Sequence, residues 1–390
     1  MEQQEHPPPG WYRDPAGGRG LRYWDGGRWT DLVAPPTTRP PPRAKRGWLV
    51  AAIVAAITVA VVVAVTAAVI VAIVVVGDDS RPSQTEVAAP GGTRVRTIDV
   101  GHTGNVRSIV FSPDGKLVAT ASLTMVRLWD PATAETVRTL PIELHWSLPL
   151  AFSPDGRLLA TAGGFHEVLL WEVRTGQTVA TLTGHTGVVE GVAFAPDGRT
   201  LATASADGTI RLWSVGTGRP IRILTSIPGV VASAVAFSPD GRLLAVGTGG
   251  RDVQLVTVAT GETTATLSGG ANSLAFSPDG KQLTNGARLW RLPTRRATDV
   301  TVLSDRVGMV AFSPDGRLLA IGGDDGVVRL WDTSAGRITL TLTGRLKTVG
   351  KGLGFAGGQL GMIVDVAFSP DGKTIAIADD YETVRLWRLT

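Results

Sequence analysis

Phe111-Ser112-Pro113-Asp114-Gly115 spells out a turn in residue types. Pro fixes φ at the second position of a type I turn and Asp tolerates the third. Gly then accepts the left-handed conformation that closes a bulged hairpin. The β-forming run Val106–Val110 precedes the phrase and Leu117–Ala121 follows it, so the spacing predicts a hairpin with these five residues at its tip. The phrase returns at Phe152, Phe237, Phe276, Phe312 and Phe368, and Phe194 opens a near copy with Ala195 in place of Ser. These seven copies lie 41, 42, 43, 39, 36 and 56 residues apart. A period near 40 is the signature of a repeat architecture.

Each unit repeats a longer grammar, clearest in the third. It runs Thr181-Leu-Thr-Gly-His185, Val188 to Phe194, the turn, Leu201 to Ser205, Ala-Asp207-Gly-Thr, then Ile210-Arg-Leu-Trp213. Four strand-like segments are separated by tight turns. Gly101-His102 and Gly184-His185 carry a Gly-His pair. Leu-Trp endings occur at Trp129, Trp171, Trp213, Trp290, Trp331 and Trp387, and two continue as Trp129-Asp130 and Trp331-Asp332. This grammar resembles the WD-repeat family, whose repeats build a β-propeller of four-stranded blades. The resemblance covers residues 93–390, about 43 residues for each of seven blades. It implies an all-β, seven-bladed propeller. It also implies that Arg94 to Asp99 completes the last blade, which otherwise ends after its third strand, Thr383 to Trp387. The family's structural hydrogen-bond set maps onto His185, Ser205, Asp207 and Trp213. Repeat one keeps His102, Ser122 and Trp129 but is one residue short and lacks the Asp. Repeat six keeps Asp325 and Trp331 without the His, repeat four has Val256 where Trp belongs, and repeat five is clipped between Leu283 and Ala287.

The preceding chain divides by composition. Residues 1–33 contain a Trp-rich stretch, core 10–32, in which Leu21–Trp24 and Arg28–Thr30 read as two short strands around an Asp-Gly-Gly turn. Gly10-Trp11-Tyr12, Asp14-Pro15 and Arg22-Tyr23-Trp24-Asp25-Gly26 through Trp29 resemble a short module of unknown function found at the N-terminus of many actinobacterial membrane proteins. A very small β-hairpin module, lying in the cytoplasm, is the expectation. Residues 34–47 form a Pro-rich, basic linker. Trp48 to Val76 then gives 29 uncharged residues, with twelve Val and four Ile, long enough for a tilted transmembrane helix. Arg39, Arg43, Lys45 and Arg46 precede it, whereas Asp78 and Asp79 follow, so the positive-inside rule places the N-terminus in the cytoplasm and residues 77–390 outside. Residues 77–92 read as a flexible stalk.

Charge and residue type exclude several chemistries. Residues 1–47 hold 8 Lys/Arg against 5 Asp/Glu, and residues 77–390 hold 30 against 29, so the repeat domain lacks the basic surface of a nucleic-acid binder. With no Cys, disulfides, thiolate metal sites and Cys nucleophiles are excluded. His6, His102, His145, His166 and His185 are too scattered for a zinc site. Gly352-Leu-Gly354-Phe-Ala-Gly357 has dinucleotide-loop spacing, but a strand rather than a helix is expected after it. Asp324-Asp325 and Asp379-Asp380 fall in turns between second and third strands, where Asp serves the backbone. Neither a catalytic site nor a cofactor or metal is expected.

Two departures from the period point to partners. The 56-residue interval contains an insertion at 345–361 with Arg345, Lys347, Lys351 and Phe355 among glycines, and the loop Pro141–Pro149 carries His145 and an extra Trp146. Aromatics and Arg are enriched at interaction hot spots. The expected function is a membrane-anchored, non-enzymatic platform for a protein or cell-envelope ligand. A receptor that relays ligand binding to a cytoplasmic partner is the alternative, and a propeller enzyme a distant third.

Overall fold

The computed structural model describes residues 10–13, 21–24, 28–34, 84–88, 94–102, 104–142, 148–164, 166–226, 230–249, 252–292, 296–299, 307–343, 362–379 and 383–389. These residues form two units, Met1–Asp79 and Ser80–Thr390.

In the first unit, Gly10–Arg13, Leu21–Trp24 and Trp29–Ala34 make a three-stranded antiparallel sheet in chain order. The expected hairpin therefore gains a strand. Gly10–Arg13 pairs with Leu21–Trp24, setting Trp11 opposite Tyr23, and Trp24 pairs with Trp29. A two-stranded hairpin is marginal alone, and a third strand is the smallest addition that supports it. Residues 48–76, the expected transmembrane helix, lie outside the described residues. Among the described residues no helix is long and apolar enough to cross a membrane.

The second unit is a seven-bladed propeller. In blade 3, Val189–Phe194 is the innermost strand, followed outward by Thr200–Ser205, Thr209–Ser214 and Pro220–Ser226. Blades 1, 2, 4, 5 and 6 repeat this antiparallel order, and blade 5 is the most reduced, with an inner strand of only Ala275–Phe276. The last blade confirms the strand exchange that the resemblance implies. Thr383–Arg388 pairs antiparallel with Arg94–Asp99, from Arg388 opposite Arg94 to Thr383 opposite Asp99. The stalk expectation needs correction, because Gln84–Ala88 is a fifth strand on this blade, antiparallel to Arg94–Asp99. Its reason is an available edge: an outer strand leaves a row of N–H and C=O groups that an adjacent extended segment satisfies.

The Ser-Pro-Asp-Gly phrase adopts the predicted turn in every blade. In blade 1 the Gly115 N–H donates to Ser112 O at 2.9 Å, and Gly115 has φ of 72°. The Asp and Ser side chains stiffen it: Ser112 Oγ–H donates to Asp114 Oδ1 (2.7 Å), and the N–H groups of Lys116 and Leu117 donate to Asp114 Oδ1 and Ser112 Oγ. The same turn also spaces the blades. A Cβ on Gly115 would lie 3.4 Å from Cδ of Pro370 in blade 7, and Gly156 meets Pro113 in the same way. Every turn glycine faces the preceding turn's proline, through to Gly372 against Pro314, so the turns form a closed ring.

The apolar core sits between blades. Trp213 of blade 3 packs with Ala160, Leu170 and Leu182 of blade 2, while Trp129 and Ile109 of blade 1 pack with Ala376 and Val384 of blade 7. Small residues on the second strands, such as Ala160 in blade 2 and Ala376 in blade 7, leave room for the neighbouring Trp. Trp129, Trp213 and Trp290 are each about 1% exposed.

Candidate functional site

Blade 3 shows how polar side chains hold the rim opposite the Ser-Pro-Asp-Gly turns. Trp213 Nε1–H donates to Thr203 Oγ1 (2.9 Å), Thr203 Oγ1 meets His185 Nε2 (2.6 Å), and His185 Nδ1 meets Asp207 Oδ2 (2.9 Å). Of the two groups on the Thr203 hydroxyl, Trp213 Nε1–H can only donate, so the hydroxyl's proton points to His185 Nε2. The neutral imidazole then carries its proton on Nδ1 and donates it to Asp207. Burial lowers the His185 pKa despite the opposing pull of Asp207. The pair is therefore a neutral imidazole donating to a carboxylate. Burial alone would raise the Asp207 pKa, but hydrogen bonds from the Thr209 hydroxyl, the Thr186 N–H and His185 outweigh it and hold the carboxyl well below its usual range.

The hydroxyl at the centre of this chain is Thr203, which corrects the assignment of that role to Ser205. Thr203 and Ser205 share one face of the strand, but Thr203 lies two residues from Leu201, the residue opposite Trp213, whereas Ser205 lies four away at the strand's end. Ser205 instead donates to Gly187 O (2.9 Å) and accepts from the Asp207 N–H (3.1 Å). Blade 1 repeats the correction. Trp129 Nε1–H donates to Thr120 Oγ1 (3.3 Å) and His102 Nε2 meets the same oxygen (2.9 Å), not Ser122. Trp171 likewise donates to Thr161 (3.0 Å) in blade 2, without a His. In blade 7 Ile377 occupies the position of Thr203, and Trp387 Nε1 is buried without a partner among the described residues.

Where the His is missing, arginine takes over. Asp325 in the turn of blade 6 receives both guanidinium nitrogens of Arg329 (3.2 and 2.5 Å), which holds its pKa below the usual range against burial. Asp379 in blade 7 is paired with Arg385. Asp325 lies in the turn and Asp379 ends the second strand, and an Arg of the third strand ties down each of them. Asp380 lies outside the described residues. The signal that could have revealed this pairing is an Arg two residues before the Trp, present at Arg127, Arg211, Arg288, Arg329 and Arg385, although Arg288 donates to Ser268 instead.

The inner strands enclose a central channel with a cavity of about 490 Å³, lined from Ile109 in blade 1 round to Val366 in blade 7. Its ionisable lining groups are Glu190 and Asp365. Asp365 Oδ2 accepts from Ser108 Oγ (2.9 Å) and the Ile109 N–H (2.8 Å), so it bridges blade 7 to blade 1. Burial pushes its pKa up to about 6, although those bonds and the Val366 N–H oppose the rise. A wider groove of about 780 Å³ lies at the same joint on the Ser-Pro-Asp-Gly side, lined in part by Arg96, Lys373, Arg388, Asp114 and Asp371.

The residues expected to contact partners, His145, Trp146, Arg345, Lys347, Lys351 and Phe355, all lie outside the described residues, as does the insertion 345–361. His166 is exposed in the turn of blade 2. Among the described residues no three His, Asp or Glu side chains are grouped to hold a metal ion.

Comparison with known families agrees with the repeat reading. No curated protein matches the chain. Residues 9–42 match a family described as protein of unknown function (DUF2510). Residues 92–130, 176–214, 218–255, 299–332 and 355–388 match the family WD40, described as WD domain, G-beta repeat. The matched segments pass over most of blades 2 and 5, whose inner strands are the shortest, yet both form four-stranded sheets in the ring. Residues 94–389 thus fold as a seven-bladed β-propeller, and five segments of it match the WD40 repeat.

Proposed function

We propose that this chain is a membrane-anchored, non-enzymatic interaction platform. The carrying observation is the closed WD40 ring, in which the rim's His, Asp and Arg side chains hold turns and blades together rather than converge on a reaction centre. A rigid ring of this kind presents loops, and the WD40 fold generally binds proteins. Residues 48–76 supply the anchor in this reading, on the strength of 29 uncharged, Val-rich residues and the basic flank before them. The same flanks support an extracytoplasmic propeller facing a protein or cell-envelope ligand. A receptor is the second reading, favoured by the separate three-stranded module that precedes residues 48–76.

The test uses the full chain expressed in membranes. Affinity capture should recover a specific partner, and Trp146→Ala or Phe355→Ala should reduce recovery while the thermal melt is unchanged. Retention of the partner by both variants overturns the placement of the contact loops. Protease shaving of intact cells should digest residues 77–390 and spare residues 1–47, and the opposite pattern overturns the orientation.

A further inference from the structure

Blade 1 carries both groups that elsewhere hold a turn carboxylate, and it has no such carboxylate. In blade 3 the Asp207 carboxylate sits on His185 Nδ1, and in blades 6 and 7 Asp325 and Asp379 sit on Arg329 and Arg385. Blade 1 has the same His at His102 and the same Arg at Arg127. Its turn between second and third strands is Leu123-Thr124, one residue shorter than Ala206-Asp207-Gly208, and it contains no acid.

The consequence is visible in hydrogen bonding. His102 is 5% exposed, and its Nδ1 has no partner among the described residues. Of the two groups on the Thr120 hydroxyl, Trp129 Nε1–H can only donate, so the hydroxyl proton goes to His102 Nε2 and the neutral ring's own proton lies on Nδ1. The orphan is therefore a donor, and what satisfies it must be an acceptor. Burial and the Arg127 charge lower the His102 pKa to about 4, so the ring is a neutral donor at physiological pH.

Arg127 supplies the charge. Its guanidinium lies over the Gly-His loop as Arg211 does in blade 3: a Cβ on Gly101 would fall 2.7 Å from Arg127 Nη1, and one on Gly184 2.8 Å from Arg211 Nη1. Arg127 makes only long contacts, to Met125 Sδ (3.5 Å) and Thr136 Oγ1 (3.4 Å), and no carboxylate pairs with it among the described residues. The acids nearest along the chain are engaged by backbone: Asp99 caps the Gly101 N–H at 2.8 Å and Asp130 the Ala132 N–H at 2.7 Å. Gly101 and Thr124 are exposed and Met125, which touches Arg127, is half-buried, so the rim of the site faces solvent.

We propose that blade 1 binds a carboxylate supplied by a partner protein, an Asp or Glu side chain that takes the place Asp207 fills in blade 3. Charge-assisted bonds from a guanidinium and an imidazole N–H to one carboxylate are the strong kind. The idea rests on the platform reading for the protein origin of the carboxylate, but the binding chemistry can be tested separately.

The experiment uses the full-length chain in detergent with ¹⁵N-labelled histidine, following ring-nitrogen resonances by NMR. The probes are acetate, an N-acetylated tetra-aspartate peptide and inorganic phosphate. Acetate and peptide should shift His102 Nδ1 saturably and leave His185 in place, with the peptide effective at the lower concentration. Arg127→Met should weaken peptide binding by about tenfold or more. Replacing Leu123-Thr124 by Ala-Asp-Gly, the turn of blade 3, should abolish the response by filling the site from within, and this variant decides the matter if Arg127→Met fails to fold. No saturable shift in the folded protein overturns the proposal, as does an undiminished shift after the turn replacement. An equal response to phosphate rejects carboxylate selectivity. If the turn replacement silences His102 while the captured partner persists, the carboxylate site is not the partner's contact and only the platform reading stands.

Discussion

Asp365 is a carboxylate buried at the joint between the first and last blades, held by Ser108, Ile109 and Val366, with no cation touching it among the described residues. Its folded-state pKa of about 6 lies above the value near 3.9 of an unfolded Asp. The folded chain therefore binds this proton more tightly, and Asp365 makes stability fall as pH rises from about 4 to 6 and level off above that. Asp365→Asn removes the charge and keeps an acceptor for the Ile109 N–H. It should stabilise the protein by roughly 1–3 kcal/mol at pH 7.5, with the gain shrinking toward zero at pH 4. Urea unfolding at the two pH values checks this, and an equal gain at both would trace the effect to packing. Sequence reading did not single out Asp365, because one residue before Val366-Ala367-Phe368 looks like any strand position and only closure brings Ser108 to it. The same limit displaced the tetrad hydroxyl from Thr203 to Ser205. Both residues lie on the same face of Thr200–Ser205, and choosing between them needs the register that sets Leu201 opposite Trp213, which spacing alone leaves ambiguous.

At the scale of the element, the Ser-Pro-Asp-Gly hairpin was fully legible because its conformation is set by residues within it: Pro for φ, Gly for the left-handed position, and a hydroxyl and carboxylate that bond locally. Its second role was not legible, since the packing of Gly115 on Pro370 joins residues from opposite ends of the domain. The one exception to the phrase provides a test. In six turns the Ser hydroxyl bridges the Asp carboxylate and the N–H five residues on, as Ser153 does for Asp155 (2.6 Å) and Leu158 (2.9 Å). Ala195 lacks it, although Arg199 N–H still donates to Asp197 (2.9 Å) and Thr200 O still accepts from the Ala195 N–H (2.8 Å). Ala195→Ser should therefore raise stability by about 0.5–1.5 kcal/mol, the net value of one hydrogen bond. A higher urea midpoint at unchanged slope is the expected record. A loss would mean that the buried Ala195 site has no room for the hydroxyl. The strand Gln84–Ala88 shows the opposite case, because it is specified by the open edge of Arg94–Asp99 rather than by a pattern of its own.

At the scale of the whole molecule, ring closure depends on one non-covalent strand pairing. Six blades are continuous in sequence, whereas the last joins Thr383–Arg388 to Arg94–Asp99 by antiparallel pairing alone. This joint also collects the propeller's unsatisfied groups: among the described residues, His102 Nδ1, Arg107 Nε, Arg385 Nε and Trp387 Nε1 are buried without partners, and all four belong to blades 1 and 7. The two layers outside Thr383–Arg388 should consequently contribute unequally. Deleting Gln84–Ala88 removes a strand that merely covers an edge, so the ring should remain closed, with faster hydrogen exchange in Arg94–Asp99 as the main change. Extending the deletion through Asp99 strips Val95 and Ile98 from the core clusters of blades 6, 7 and 1. It also exposes Thr383–Arg388 as an apolar edge next to the buried Trp387, a template for pairing with another chain. The longer deletion should lower the melting temperature sharply and produce higher-order species in size-exclusion chromatography, while the shorter one elutes as the parent does. If both deletions behave alike, the propeller is held by its turn ring and interblade packing rather than by the closing strand. The seven Gly–Pro contacts would then be the primary closure of the fold.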